Sequence, residues 1–222
     1  MKLLMFGASG QVAREVLARA PGAVALGRAA ADLAEPAACA EAVMQHAPDV
    51  VINAAAYTAV DKAESEEDLA TTINGAAPAA MAGAAARLDI PFLHISTDYV
   101  FDGSGTAFWQ PQDRTAPLSA YGRSKRAGEV GVLASGATAA ILRTSWVFSA
   151  HGSNFVKTML RLGRDRESLR IVADQIGGPT PAGAIAEALL AMAERLAARR
   201  GTPGIFHLAG APEVSWAQFA RV

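Results

Sequence analysis

Short apolar or β-branched runs alternate with helix-length stretches from the N-terminus through Thr144, and this alternation confines the chain to a parallel sheet with helical crossovers. Lys2–Phe6, Ala23–Leu26, Val50–Asn53, Phe92–Ser96 and Ala139–Thr144 read as strands. Gly10–Arg19, Pro36–His46, Glu66–Leu88 and Ala120–Leu133 read as the helices between them, each long enough to return the chain across a sheet. The pattern predicts an α/β fold with a doubly wound parallel sheet. Past Thr144 it loosens into a polar loop at Ser149–Ser153, a helix near Phe155–Leu162, a strand near Leu169–Val172, an Ala-rich helix over Ala182–Arg199 and a strand at Ile205–Leu208. The expected organisation is a main domain over 1–146 and a smaller, partial α/β lobe over 147–222, some of whose segments return to the main sheet. Ser215 caps the start of a further amphipathic helix close to Val222, so the expectation is a truncated chain or one with a further C-terminal tail.

Composition excludes several classes of partner. Twenty Lys and Arg against 21 Asp and Glu leave a formal charge of −1, which gives no basic footprint for nucleic acid or an acidic membrane. The single cysteine, Cys39, has no disulfide partner within the chain and no neighbour at metal-ligand spacing. Gly7 interrupts the first apolar run too early for a signal peptide. The small-residue stretch Gly75–Ala86 contains Pro78 and falls short of a membrane span. The chain therefore reads as cytoplasmic. His46, His94, His151 and His207 share no ligand spacing and read as ordinary core or surface histidines; no metal site is expected. The charged run Asp61–Asp68 reads as an acidic helix start that suits the macrodipole.

Three motifs carry chemistry. Gly7-Ala8-Ser9-Gly10-Gln11-Val12-Ala13 follows the first strand and opens the first helix, where small residues and free N–H groups accept a pyrophosphate. Assigning 1–146 to dinucleotide binding follows from this turn. The second strand ends at Leu26-Gly27-Arg28 with no carboxylate to grip an NAD ribose, so Arg28 favours NADPH while NADH stays open; Asp32 either meets the adenine or caps its own turn. Tyr121 and Lys125 share a helix face at i and i+4, the spacing of an acid/base pair in which a cation draws the phenol towards working pH. Thr97, at the C-terminal end of the fourth strand, offers a hydroxyl to a carbonyl. Ala54, Ala55 and Ala56 after the third strand leave room for a cofactor.

These segments, with Asn53–Ser65, Ser96–Gly103, Arg143–Phe148, Asn154–Leu162 and Asp174–Thr180, make the chain resemble the extended short-chain dehydrogenase/reductases, and among them the dTDP-4-dehydrorhamnose reductase family. The resemblance implies reduction of the C4 ketone of a dTDP-4-dehydro sugar to dTDP-L-rhamnose. Tyr121 would protonate the alkoxide, Lys125 bind the nicotinamide ribose and Thr97 hold the carbonyl. It also implies Gly7, Gly10, Gln11 and Val12 at the pyrophosphate, Asp32 and Leu33 at the adenosine, Ala54 through Thr58 along the cofactor, and Trp146 and Asn154 facing the sugar nucleotide. Some members dimerise through Mg²⁺ held by glutamates. Glu15 matches one of these, but Gly183 stands where another is expected, so a homodimer here would not use a metal bridge. Two other outcomes of the same resemblance are an epimerase or dehydratase acting on another nucleotide sugar, and a non-catalytic regulatory subunit of the methionine adenosyltransferase type.

Overall fold

A computed structural model describes residues 1–221. Six parallel strands form the central sheet: β1 (Leu3–Phe6), β2 (Val24–Leu26), β3 (Val50–Asn53), β4 (Phe92–Thr97), β5 (Ala139–Thr144) and β9 (Gly204–Leu208), in the order β2-β1-β3-β4-β5-β9. Side chains alternate across each strand. Leu4, Phe6, Val51, Phe92 and Ile141 pack on one face under α2 (Pro36–His46) and α5 (Ala77–Arg87). Leu3, Met5, Val50, Ile52, Leu93 and Leu142 pack on the other, under α1 (Gln11–Arg19) and α8 (Ala182–Ala197). Both faces are covered, which is why β1, β3 and β5 are buried along their full length. The chain winds outward in opposite directions from β1, so β1 and β3 flank the crevice where such sheets bind ligands.

Two expectations are corrected. The helix expected over Glu66–Leu88 is three pieces: α4 (Glu67–Thr71), a π-helical turn (Thr72–Ala76) and α5. Pro78 sits in the first turn of α5 and has no N–H to donate, and the wider turn before it absorbs the break and buries Asn74. No strand forms at Leu169–Val172; Val172 O accepts a single backbone bond, from Ala217 N at 2.9 Å. The pairing moves to β7 (Ile176–Gly177), which runs antiparallel to β10 (Val214–Ser215).

The remaining elements are α3 (Val60–Ala63), a 3-10 turn (Asp98–Val100), α6 (Ala120–Ala134), α7 (Phe155–Asp165), α9 (Trp216–Phe219), and β6 (Val147–Phe148) paired with β8 (Thr180–Pro181). Ser215 caps α9 in a reciprocal capping box with Gln218, as the sequence indicates. β9 pairs with β5, so part of the lobe segment completes the main sheet. No helix among the described residues is long and apolar enough to cross a membrane.

Candidate functional site

The crevice begins at Gly7. Its φ of +99° is open to glycine, and a Cβ there would lie 3.2 Å from the Ala54 carbonyl carbon and oxygen and from Ala55 N. Gly7 N donates to Leu26 O and Ala54 N to Phe6 O, which locks the ends of β1, β2 and β3 together. Gly10 caps α1 with no side-chain bond, nothing lies within 4 Å of a Cβ placed on it, and the first turn carries no acid. A tight glycine turn, open space and uncapped N–H groups fit the diphosphate of a dinucleotide.

Around this turn the expected cofactor residues divide. Arg28 is exposed just past β2. Asp32 accepts from Ala34 N at 3.0 Å, the turn-capping alternative. The Val12 and Leu33 side chains are buried in the core, which leaves their backbones for any ligand. Ala54 and Ala55 are half-buried, and Ala56 and Thr58 are exposed.

The second wall is the start of α6. Ser119 Oγ accepts from Gly122 N at 3.1 Å, and Glu64 accepts from Ala120 N at 2.8 Å. Arg123 makes a two-point contact with Glu67 at 2.7 and 2.9 Å. The acidic run is therefore more than a dipole complement: it fixes the turn that carries Tyr121. Gly122 and Gly128 let the helix lie against backbone, since Cβ atoms there would fall 2.3 Å from Tyr99 O and 2.1 Å from Asn74 O. Asn74, set inward by the π turn, accepts from Tyr57 N at 2.8 Å and donates to Tyr57 O and Ser124 Oγ, tying the loop after β3 to α6.

Thr97 ends β4 beside this helix. Its hydroxyl donates to Asp98 Oδ1 at 3.1 Å and accepts from Tyr99 N at 3.2 Å. Burial raises the Asp98 carboxyl to about 6, against the hydrogen bond from Thr97. Tyr121 packs edge-on against the Tyr99 ring with centroids 5.5 Å apart. Burial holds its phenol above the ordinary range; a hydrogen bond with Thr97 opposes this and the charge of Asp98 adds to it. This corrects the expectation that Lys125 draws the phenol down. Lys125 Nζ donates to Ile95 O at 2.7 Å and lies 3.3 Å from His94 Nε2, so it is directed into the sheet. Burial brings Lys125 down to about 8, with Glu129 pulling the other way.

Sequence reasoning passed over the polar layer beneath these groups. His94 and Ser96 lie two apart on β4, while Lys125 and Glu129 lie four apart on α6, and the two periods match. His94 meets Lys125, and Ser96 Oγ donates to Glu129 Oε1 at 2.6 Å. Arg143 on β5 completes the layer with bonds to Glu129 at 2.8 and 2.7 Å and to Pro111 O at 3.2 Å. The available signal was polar residues at i and i+2 in a strand whose parallel pairing buries both faces.

Trp146 and Asn154 lie in the second lobe. The Trp146 ring stacks on Trp216 at 3.5 Å and 9°, within an aromatic group that includes Phe148, Phe155 and Phe219. Asn154 caps α7 by accepting from Lys157 N, and its amide donates to Gln11 Oε1 at 2.9 Å. Gln11 also accepts from Ser149, so the residue opening α1 bonds directly to the lobe. Glu15 pairs with Arg19 at 2.6 Å and Arg19 reaches Glu187 at 3.1 Å, close enough that a Cβ on Gly183 would lie 2.9 Å from the guanidinium. Arg19 is the cation at that place. The described residues hold no group of three or more His, Cys, Asp or Glu able to bind a metal ion.

Comparison with known proteins agrees with this geometry. The family model described as the RmlD substrate binding domain matches residues 1–222. The dTDP-4-dehydrorhamnose reductase of Sinorhizobium fredii is 46% identical over 226 residues, covering 100% of this chain and 76% of the relative. The crystal structure of a dTDP-4-dehydrorhamnose reductase from Clostridium acetobutylicum superimposes with a TM-score of 0.92 at 37% identity, over 100% of this chain and 78% of that one. That of the Bacillus anthracis enzyme, in complex with NADP, gives 0.91 at 32% identity, over 99% and 79%. Matched over its whole length by that family model and by these reductases, the chain belongs to the dTDP-4-dehydrorhamnose reductase family of extended short-chain dehydrogenase/reductases.

Proposed function

We propose that this chain reduces the C4 ketone of dTDP-4-dehydro-L-rhamnose to dTDP-L-rhamnose with NADPH, Tyr121 supplying the proton. The supporting observation is that the end of β4 receives two side chains of α6, Tyr121 reaching Thr97 and Lys125 reaching Ile95 O. A nicotinamide dinucleotide, when bound, supplies the hydride. Gly7, Gly10, Gln11 and Val12 hold its diphosphate through backbone N–H groups, Ala54 to Thr58 line its path, and Arg28 receives a 2′-phosphate. Asp32 and Leu33 border the adenosine, and Trp146 and Asn154 the sugar nucleotide.

Tyr121 is suited to giving up a proton at the alkoxide because burial keeps its phenol protonated at neutral pH. Thr97 holds the carbonyl once its hydroxyl proton, which points to Asp98 Oδ1 in the free protein, turns to the substrate oxygen. The division into a dinucleotide domain over 1–146 and a substrate lobe over 147–222 belongs to the same proposal, as does a reaction without Mg²⁺.

The test is NADPH oxidation, followed at 340 nm, with dTDP-4-dehydro-L-rhamnose and a panel of other 4-keto nucleotide sugars. Tyr121→Phe should lower kcat by about 10²- to 10⁴-fold, the usual worth of a positioned acid, while cofactor still binds. Tightly held, non-exchanging NAD without net oxidation would assign an epimerase or dehydratase instead. A folded protein that turns over none of these sugars and forms a stable hetero-complex would assign a regulatory subunit.

A further inference from the structure

Lys125 does not end the polar chain it begins. Its Nζ is 3.3 Å from His94 Nε2, and His94 Nδ1 is 3.2 Å from Asn53 Nδ2. Asn53 is 1% exposed, His94 0% and Lys125 2%. The amide of Asn53 is oriented by a further bond, Ala55 N donating to Asn53 Oδ1 at 3.1 Å, so Nδ2 is a donor. His94 must then accept at Nδ1. Burial holds the imidazole neutral, with a single N–H, and that N–H lies on Nε2. Two donors would collide if Lys125 were an ammonium. An amine resolves the conflict: it donates to Ile95 O and accepts from His94 Nε2–H.

We infer that His94, held by Asn53 as the Nε2–H tautomer, is a positioning residue that favours the uncharged amine of Lys125. The groups facing Lys125 are few. On α6, Glu129 opposes the effect, but its oxygens are already engaged by Ser96, Arg143 and Arg126. Asp98 and Tyr99, from the turn after β4, bear on Tyr121. Glu64 and Glu67, from the α3–α4 segment, pair with Arg123 on the outer face. The inference depends on the proposed function only where it touches the rate, because the amine can be observed directly.

The test uses the whole chain without cofactor. Long-range ¹⁵N NMR of the His94 ring should show a protonated Nε2 and an unprotonated Nδ1, and ¹³Cε-lysine NMR should follow the titration of Lys125. Asn53→Asp turns the donor into an acceptor, inverts the tautomer and leaves Nε2 to accept a hydrogen bond from the Lys125 ammonium. Lys125 should then bind its proton at least tenfold more tightly. Most of that gain should disappear in Asn53→Asp/His94→Leu, where no ring transmits the change. A gain that survives His94→Leu would be simple charge attraction and would overturn the inference, as would an Nδ1–H ring in the parent protein. If these signals behave as expected while the ketone is not reduced, the proton assignment stands and the proposed function fails.

Discussion

Replacing Arg143 by Met strips Glu129 of its principal counter-charge in a place water does not reach. Arg143 is 4% exposed and Glu129 0%, and two of the three hydrogen bonds the carboxylate receives come from this guanidinium. Breaking one side of a buried pair costs about 3–5 kcal/mol, because the remaining charge stays desolvated. Arg126, 3.5 Å from Glu129 Oε2, and the Ser96 hydroxyl retain part of the compensation, which puts the expected loss near ~3 kcal/mol. In a chain of this size each kcal/mol moves the melting temperature by roughly 2–4 °C, so Arg143→Met should melt about 6–12 °C lower. The loop anchored through Pro111 O should also become an early site of proteolysis. Glu129→Met/Arg143→Met removes both charges and should be less damaged than Arg143→Met alone. Urea titration of the parent, the two single variants and the double variant gives the coupling energy directly. A loss below ~1 kcal/mol with no coupling is what an exposed pair would show, and would refute the reasoning.

Two further outcomes follow from single side chains. Arg28→Ala should lower the preference for NADPH over NADH by at least tenfold, measured as the ratio of kcat/KM for the two cofactors; an unchanged ratio removes Arg28 from the cofactor site. Asp98 has a folded-state pKa of about 6, above its unfolded value of about 3.9, so the folded form holds the proton more tightly. That stabilisation is complete below the unfolded value and is lost as pH rises through 6. Asp98→Asn should therefore raise the melting temperature more at pH 7.5 than at pH 4, and an equal rise at both would contradict the burial of the carboxyl.

Local signals carried most of the fold and brought forward the candidate site residues. Gly7 and Gly10 announce the turn because a strand end and a helix start bracket them, and Tyr121 and Lys125 announce a shared face through helical spacing alone. His94 did not stand out, because its meaning depends on which helix crosses β4 and at what height. Asn154 is a helix cap whose amide reaches a residue far away in sequence, Gln11, and spacing holds no trace of that bond. The electrostatics of Tyr121 were misjudged for a related reason. Helical spacing brings Lys125 to the correct face, but the carbonyl of Ile95 and the ring of His94 determine where its Nζ points. Leu169–Val172 had strand-forming residues but forms no ladder, and pairing is a condition that only the assembled sheet defines.

The pairing of β9 with β5 also sets an order of assembly. About 60 residues separate Ala140 from its partner Gly204, so this ladder closes long after the contacts between β1, β2 and β3 are available. During synthesis Ala139–Thr144 is complete before its neighbour exists, and it waits as the open edge of a parallel sheet, a ready template for strands of other chains. Arg143 lies within that edge with its charge turned inward, which is one of the devices by which natural sheets discourage such pairing. The residue that fastens the polar layer in the finished molecule thus also places an inward-turned charge on the edge of the unfinished sheet.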